Sequence, residues 1–276
     1  MRIVTFLRDG QVQHGVRDGD RVRVHPSATS AVELALNAAA YPEGEEIALA
    51  EVTLLAPVPQ PGKLICIGLN YRAHAIEGGN AIPDYPAVFL RTTTSLADPD
   101  AEMILPDCSD KLDYEAELAV IIGKPAFGVS AADALHHVAG YSCFNDGSVR
   151  DYQRKSTQWT MGKNFDRTGG FGPELVTPDE LPAGAAGLRI VSRLNGAIMQ
   201  DSDTADMIFD VATLIATLSE AMTLEPGDVI ATGTPSGVGY ARTPPVFLRE
   251  GDRIEVEIEG IGTVANVVAR RGGASS

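Results

Sequence analysis

The sequence predicts an α+β protein in which strands outnumber helices. Three observations carry that expectation. The run Lys111-Leu112-Asp113-Tyr114-Glu115-Ala116-Glu117-Leu118 passes straight into Ala119-Val120-Ile121-Ile122 and stops at Gly123, the pattern of a buried strand. Ile254-Glu255-Val256-Glu257-Ile258-Glu259 alternates strictly, so its glutamates form the solvated face of a second strand. Met207, Val211, Leu214, Ile215, Leu218 and Met222 fall at helical spacing and place the longest helix over 204–222. That stripe is core packing and implies no chemistry.

Taken in order, residues 2–25 alternate apolar and polar side chains around Arg8-Asp9-Gly10 and Arg17-Asp18-Gly19-Asp20, which predicts a small hairpin-rich unit. Ser30 and Glu33 form a capping box ahead of a helix over 31–40. Ala56-Pro57-Val58-Pro59-Gln60-Pro61-Gly62-Lys63 holds three prolines in five residues and reads as a linker. It separates a small β-rich N-terminal domain, 1–56, from a main domain, 57–271. The main domain opens on Leu64-Ile65-Cys66-Ile67-Gly68, a buried strand. Ser130 caps a helix over 131–139 that Gly140 closes, and Gly140-Tyr141-Ser142-Cys143-Phe144 is a short strand-like run. Further strands are expected over 188–194, 228–232, 253–258 and 263–269, and Gly272-Gly273-Ala274-Ser275-Ser276 reads as a flexible tail.

Composition narrows the function classes. With 44% hydrophobic and 21% charged residues the chain is that of a soluble globular protein. No apolar run approaches the roughly 20 residues that cross a bilayer. Cys66, Cys108 and Cys143 are few, scattered and odd in number, which argues for a reducing cytoplasm rather than a disulfide framework. A net charge of −15 disfavours nucleic acid and anionic membrane as partners. It leaves room for an anionic small molecule, because a bound cation with nearby Lys or Arg reverses the local field.

Side chains alternate along a strand, so Glu115 and Glu117 point the same way, about 7 Å apart, with Asp113 on that face too. Carboxylates aimed at one spot repel unless a positive charge sits between them, and oxygen ligands suit Mg²⁺ or Mn²⁺ before Zn²⁺. The same pattern also describes the polar outer face of an edge strand. Asp146, in Asn145-Asp146-Gly147-Ser148, reads equally as a third ligand at a strand end or as a turn residue. In Asn70-Tyr71-Arg72-Ala73-His74-Ala75-Ile76-Glu77-Gly78-Gly79, one helical turn brings His74 and Glu77 together as a base and its orienting carboxylate; a surface His with a chance neighbour fits as well. Gly78-Gly79 would let the segment move as a lid. Lys163, among the small and apolar residues of Trp159-Thr160-Met161-Gly162-Lys163, is a fixed charge for an oxyanion or an ordinary surface lysine. Thr232-Gly233-Thr234-Pro235-Ser236-Gly237 lacks the Gly-Lys-Ser/Thr of a P-loop but offers backbone N–H groups and the Thr234 hydroxyl to an anion. His14, His25, His136 and His137 have no comparable company and read as structural or solvated.

The order of these signals is more specific than any one of them. Ile67-Gly68-Leu69-Asn70-Tyr71 with His74 and Glu77, Asp113-Tyr114-Glu115-Ala116-Glu117-Leu118, Asn145-Asp146, Arg150-Asp151-Tyr152-Gln153, Gly162-Lys163, Gly172-Pro173, Asn195-Gly196, Pro226-Gly227-Asp228 and Thr232-Gly233-Thr234-Pro235 together resemble the fumarylacetoacetate hydrolase superfamily over 57–268. The resemblance implies a mixed β-roll catalytic domain, a homodimer, and action on a small-molecule 2-oxo acid with Mg²⁺ or Mn²⁺. It makes Glu115, Glu117 and Asp146 the metal ligands, His74 and Glu77 a water-activating pair, and Gln153, Lys163 and Thr234 contacts to substrate. The expected reaction is hydrolysis of a carbon–carbon bond in a 2,4-dioxo acid such as an acylpyruvate or fumarylpyruvate. The alternatives are decarboxylation or isomerisation of a dicarboxylic 2-oxo acid (oxaloacetate or an intermediate of aromatic catabolism), or a silent metal-binding member of the family.

Overall fold

A computed structural model describes residues 1–271; the tail expected at 272–276 lies outside the described residues. The strand Ala116–Ile122 is buried along its whole length, which explains why its apolar run does not alternate. It pairs antiparallel with Val138–Asp146 on one side and Val229–Ala231 on the other. Among the described residues these strands belong to a 12-stranded sheet. One wing runs through Gly169–Val176 to Arg2–Arg8, Gln11–Asp18, Arg21–Val24 and Glu46–Ala48; the other runs through Leu64–Gly68 to an edge at Ala87–Arg91. A 5-stranded sheet follows the order Ala197–Asp203, Arg189–Leu194, Arg253–Ile258, Gly262–Arg270, Glu102–Leu105. The mixed sheets and few helices are the expected α+β class.

Strand parity divides the core. Leu118, Val120 and Ile122 share one apolar cluster with Ile190 and Val256 of the second sheet and with Leu214 and Leu218 of the Val211–Ala221 helix. Ala119 and Ile121 face the other way and cluster with Ala31 and Leu34 of the Ala31–Asn37 helix. Both faces of the central strand are therefore covered, and Glu115, next beyond its N-terminal end, keeps the same alternation.

The N-terminal hairpins form as expected, with Gln11–Asp18 paired to both Arg2–Arg8 and Arg21–Val24. This unit is also stitched into the main sheet. Arg2 and Ile3 pair with Val176 and Leu175, and Glu174, 1% exposed, is flanked by Arg2 at 2.7 Å and Arg17 at 3.2 Å.

Three helices are shorter than the sequence predicts; the one expected over 31–40 is Ala31–Asn37 followed by a 3₁₀ turn, Ala38–Ala40. In place of one helix over 204–222, Thr204–Asp206 makes a single 3₁₀ turn and the α-helix runs only over Val211–Ala221. The Asp210 carboxylate accepts the Thr213 N–H at 2.8 Å and so sets the start, while Met207 forms a bridge to Tyr71. The helix expected over 131–139 is only Ala131–Ala134 with one 3₁₀ turn, Leu135–His137. Val138 already belongs to the strand Val138–Asp146, so Gly140 lies inside a strand and caps nothing. Asp210→Ala is expected to cost about 1 kcal/mol of stability. Urea unfolding reads it as a lower midpoint at unchanged slope; an unmoved midpoint would show that packing alone sets this helix start. No helix among the described residues is long and apolar enough to cross a membrane.

Candidate active site

Register decides which carboxylates meet. Ala116 pairs with Asn145 and Glu117 with Phe144, so Glu117 shares a face with Phe144 and, two residues on, with Asp146. Glu115 continues that face from the end of its strand, and its carbonyl accepts the Asp146 N–H at 2.9 Å. Carboxylate oxygens of Glu115, Glu117 and Asp146 lie within 4.8 Å of one another, and all three residues are buried.

Asp113 does not join them, contrary to the simple alternation. The chain leaves the short strand Leu112–Asp113, which pairs with Ser148–Val149, before Ala116–Ile122 begins, and parity is lost at Tyr114. The Asp113 carboxylate instead accepts the N–H groups of Gly239 at 2.8 Å and Tyr240 at 2.9 Å, and the Arg150 Nε at 2.8 Å. It anchors the wall of the site.

Fixed cations surround the three carboxylates unevenly. Lys163 Nζ lies 2.5 Å from Glu115 Oε2 and 2.6 Å from Asp146 Oδ2. Arg150 Nη2 lies 2.7 Å from Glu115 Oε1, and Arg91 Nη1 donates to Asp146 Oδ1 at 2.5 Å. Glu117 has no such partner among the described residues; it accepts only the Gly233 N–H, at 3.0 Å. The acidities follow. Burial alone raises a carboxyl, but Arg150 and Lys163 overcome it and hold Glu115 well below the usual range. At Glu117 burial, Asp146 and Glu115 act together and push it well above that range. Burial opposes the Lys163 ammonium, yet Asp146 and Glu115 keep it above its ordinary value. A buried, all-oxygen donor set with one carboxylate uncompensated is what a hard divalent cation satisfies. The residues present fit such an ion.

Above these carboxylates lies a cavity of about 460 Å³, walled also by His74, Gln153, Trp159, Lys163, Thr234 and Tyr240. Apart from Asp113, every residue the sequence singled out for chemistry faces it or, as with Glu77, orients one that does. Leu69, at φ 56°, turns the chain out of Leu64–Gly68 into the helix Arg72–Glu77. A left-handed leucine costs about 1–2 kcal/mol and is one of the site's strained residues. His74 is 5% exposed, with Nδ1 3.4 Å from Glu77 Oε2. Glu77 is itself fixed by the Gly237 N–H at 2.9 and 3.1 Å. Burial works against the Glu77 carboxylate, but the His74 and Gly237 hydrogen bonds hold it below its ordinary acidity range. The Thr234 hydroxyl accepts Gln200 Nε2 at 2.7 Å, and Gln153 Oε1 accepts Arg150 Nη1 at 2.9 Å. Lys163, expected to contact substrate, is engaged by the carboxylates themselves.

Two glycines are needed where they stand. A Cβ on Gly68 would lie 2.1 Å from the Trp159 ring, and one on Gly233, at φ 100°, would lie 2.7 Å from Asn70 Cβ. His14 bonds to Thr5 at 3.1 Å, and His14 and His25 are both buried in the N-terminal unit, away from the cavity. Sequence reasoning passed over Arg91, Arg150, Tyr240 and Trp159 as site residues. Arg150 stood three residues before a candidate contact, in Arg150-Asp151-Tyr152-Gln153, and was legible as a basic group between two site positions. Arg91 carried no such signal, because only the fold brings the end of an edge strand to Asp146.

This geometry can be set beside known proteins. The family described as fumarylacetoacetate (FAA) hydrolase C-terminal matches residues 63–269, and one described as Rv2993c-like, N-terminal, matches 1–57. The chain is 45% identical over 220 residues to the human mitochondrial oxaloacetate tautomerase FAHD2A, covering 79% of this chain and 70% of that protein. It is 46% identical over 224 residues to the oxaloacetate tautomerase YisK of Bacillus subtilis (strain 168), covering 80% and 74%. A solved 5-carboxymethyl-2-hydroxymuconate delta-isomerase from Mycobacterium smegmatis superposes with a TM-score of 0.83 at 34% identity, over 98% of this chain and 100% of that one. The fumarylacetoacetate hydrolase from Exiguobacterium antarcticum does so with a TM-score of 0.85 at 35% identity, again over 98% and 100%. With the family matched from Lys63 to Ala269 and its fold reproduced, the carboxylate-lined cavity is that of an enzyme, and the chain belongs to the fumarylacetoacetate hydrolase superfamily.

Proposed function

We propose that the protein interconverts keto and enol forms of a dicarboxylic 2-oxo acid of the oxaloacetate type. This is the isomerase alternative that the sequence left beside hydrolysis. The observation that carries it is His74: an imidazole 5% exposed, anchored by a carboxylate, in the wall of the cavity that holds Glu115, Glu117 and Asp146. The likeness to two oxaloacetate tautomerases supports the same reading over carbon–carbon hydrolysis.

Glu115, Glu117 and Asp146 would hold the divalent cation, for which Mg²⁺ or Mn²⁺ is our choice. When bound, that ion supplies Lewis-acid polarisation of the 2-oxo group. His74 takes a proton from C3 of the ketone, and Glu77 keeps the ring oriented while it carries that proton. The C3–H electron pair becomes the C2–C3 double bond, the carbonyl pair moves to the 2-oxygen, and that oxygen takes the proton from the His74 imidazolium as the enol hydroxyl, which returns His74 to its neutral form. Lys163, held by Glu115 and Asp146, adds a fixed positive charge next to the developing oxyanion. Water is not a reactant. Cys66, Cys108 and Cys143 are free thiols, which supports a reducing compartment such as the cytoplasm.

The direct test follows the decay of enol-oxaloacetate with Mg²⁺ present. Acceleration well above the buffer rate is expected. Decay at the buffer rate, with acetylpyruvate cleaved instead, would return the assignment to hydrolysis. The segment from Asn70 to Asn80 is expected to close over bound ligand, with Gly79, at φ 72°, at its hinge. Amide exchange there should slow when oxalate and Mg²⁺ are added, and unchanged exchange at saturation would speak against a lid.

A further inference from the structure

The buried cations around the cavity already have their anions. Arg91 and Lys163 share Asp146, Lys163 and Arg150 share Glu115, and Arg150 also holds Asp113. Arg154 differs. It is exposed, lines the same cavity, and forms no ion pair among the described residues. It follows the helical turn Arg150–Gln153, and its N–H donates to the Arg150 carbonyl at 3.2 Å, so the two arginines lie on one face of that turn.

Tyr240 orients both. The Arg154 guanidinium lies 4.5 Å from the centroid of the Tyr240 ring, and the Arg150 guanidinium lies 4.5 Å from it as well. The Tyr240 N–H is tied to Asp113 at 2.9 Å, which fixes the residue that carries the ring. Stacking restrains an arginine without using its in-plane N–H donors. The result at the cavity wall is an oriented guanidinium with its donor fork free, the geometry that receives a carboxylate in two parallel hydrogen bonds. In a chain of net charge −15, a cation without an anion of its own is a point of attraction for an entering dianion.

We propose that Arg154, braced by Tyr240, receives the second carboxylate of the substrate and is the residue that selects dicarboxylic over monocarboxylic 2-oxo acids. This rests on the 2-oxo acid reading of the site and names what that reading leaves open. The end of the substrate that carries the 2-oxo group is met by the Glu115, Glu117, Asp146 and Lys163 centre. A second carboxylate has no counter-charge there, and leaving it unmatched on entry would cost its desolvation. Arg154 supplies the match.

The experiment compares two probes that differ in one carboxylate, 2-oxoglutarate and 2-oxopentanoate, titrated calorimetrically into the Mg²⁺-loaded protein. The wild type is expected to prefer 2-oxoglutarate. Arg154→Met is expected to remove roughly tenfold of that preference, as expected for one charged hydrogen-bonded contact, and Arg154→Lys to restore part of it. With oxaloacetate as substrate, the same loss should appear in KM while kcat changes little. An unchanged preference in Arg154→Met, or equal weakening of both probes, would overturn the proposal. Absence of tautomerase activity in a wild type that still prefers 2-oxoglutarate through Arg154 would remove the proposed reaction and leave the carboxylate receptor standing.

Discussion

Glu117→Gln is expected to abolish turnover and leave the metal-free fold as stable as before, whereas Glu115→Gln abolishes turnover and loosens the fold. The two residues sit two apart on one face and would be treated alike by any motif. Their surroundings separate them. Glu115 neutralises Lys163 at 2.5 Å and Arg150 at 2.7 Å, so removing its charge breaks two buried ion pairs and leaves Lys163 to Asp146 and Arg150 to Asp113 alone. Breaking a buried pair in this way costs about 3–5 kcal/mol. Glu117 compensates no cation and accepts one backbone N–H, which a glutamine oxygen can also accept. Burial and two neighbouring charges already disfavour its ionised form, so the neutral amide removes a repulsion in the metal-free protein. Both substitutions remove an oxygen donor from the cation site. Loss of an outer partner of a metal ligand typically costs about 10–100-fold, so loss of a ligand should cost at least about 100-fold in activity. The checks are urea unfolding in chelator, Mg²⁺ affinity, and turnover. Equal destabilisation by the two variants would refute the division of labour. Full turnover by Glu117→Gln would remove Glu117 from the metal site.

His74→Ala is expected to slow keto–enol interconversion by about 10²–10⁴-fold, the usual loss for a positioned general base. Mg²⁺ affinity should be little changed, because Glu115, Glu117 and Asp146 remain. Glu77→Gln should lose less, since it orients the ring and does not carry the proton. The measurement pairs initial rates on enol-oxaloacetate with calorimetric Mg²⁺ binding. A His74→Ala enzyme with an unaltered rate would leave the reaction to the cation and Lys163 alone, and the proton-transfer role of the helix Arg72–Glu77 would fall.

What could be read from the sequence followed from local periodicity. Glu115 and Glu117 were legible because two-residue alternation is fixed by the peptide itself, and His74 with Glu77 because three residues make nearly one helical turn. Asp113 was misplaced because alternation was carried across Tyr114, where the chain passes from one strand to another. The helix over 204–222 was overdrawn because Met207 fits the apolar stripe, although Asp210 carries the capping signal that starts the helix later. Arg91 acts through a tertiary neighbour, Asp146, that no spacing encodes. Hydrolysis and isomerisation were not separable either. Both need a base, an oxygen-binding cation and a positive charge beside an enolate, and the side chains that provide these are the same.

The stitch between the N-terminal unit and the main sheet limits how this architecture can be recombined. Gly169–Val176 carries Glu174 near one end, matched by Arg2 and Arg17, while at its other end Gly169 pairs with Asp146. A chimera that exchanged residues 1–57 for a foreign segment without equivalents of Arg2 and Arg17 would strand a carboxylate in a dry slot, on the strand that braces a cation ligand. The junction at the proline-rich linker thus looks free to cut in the sequence but is bound by charge in space. Successful grafts must carry both arginines with them, and the same pairing gives selection a reason to inherit the two segments together.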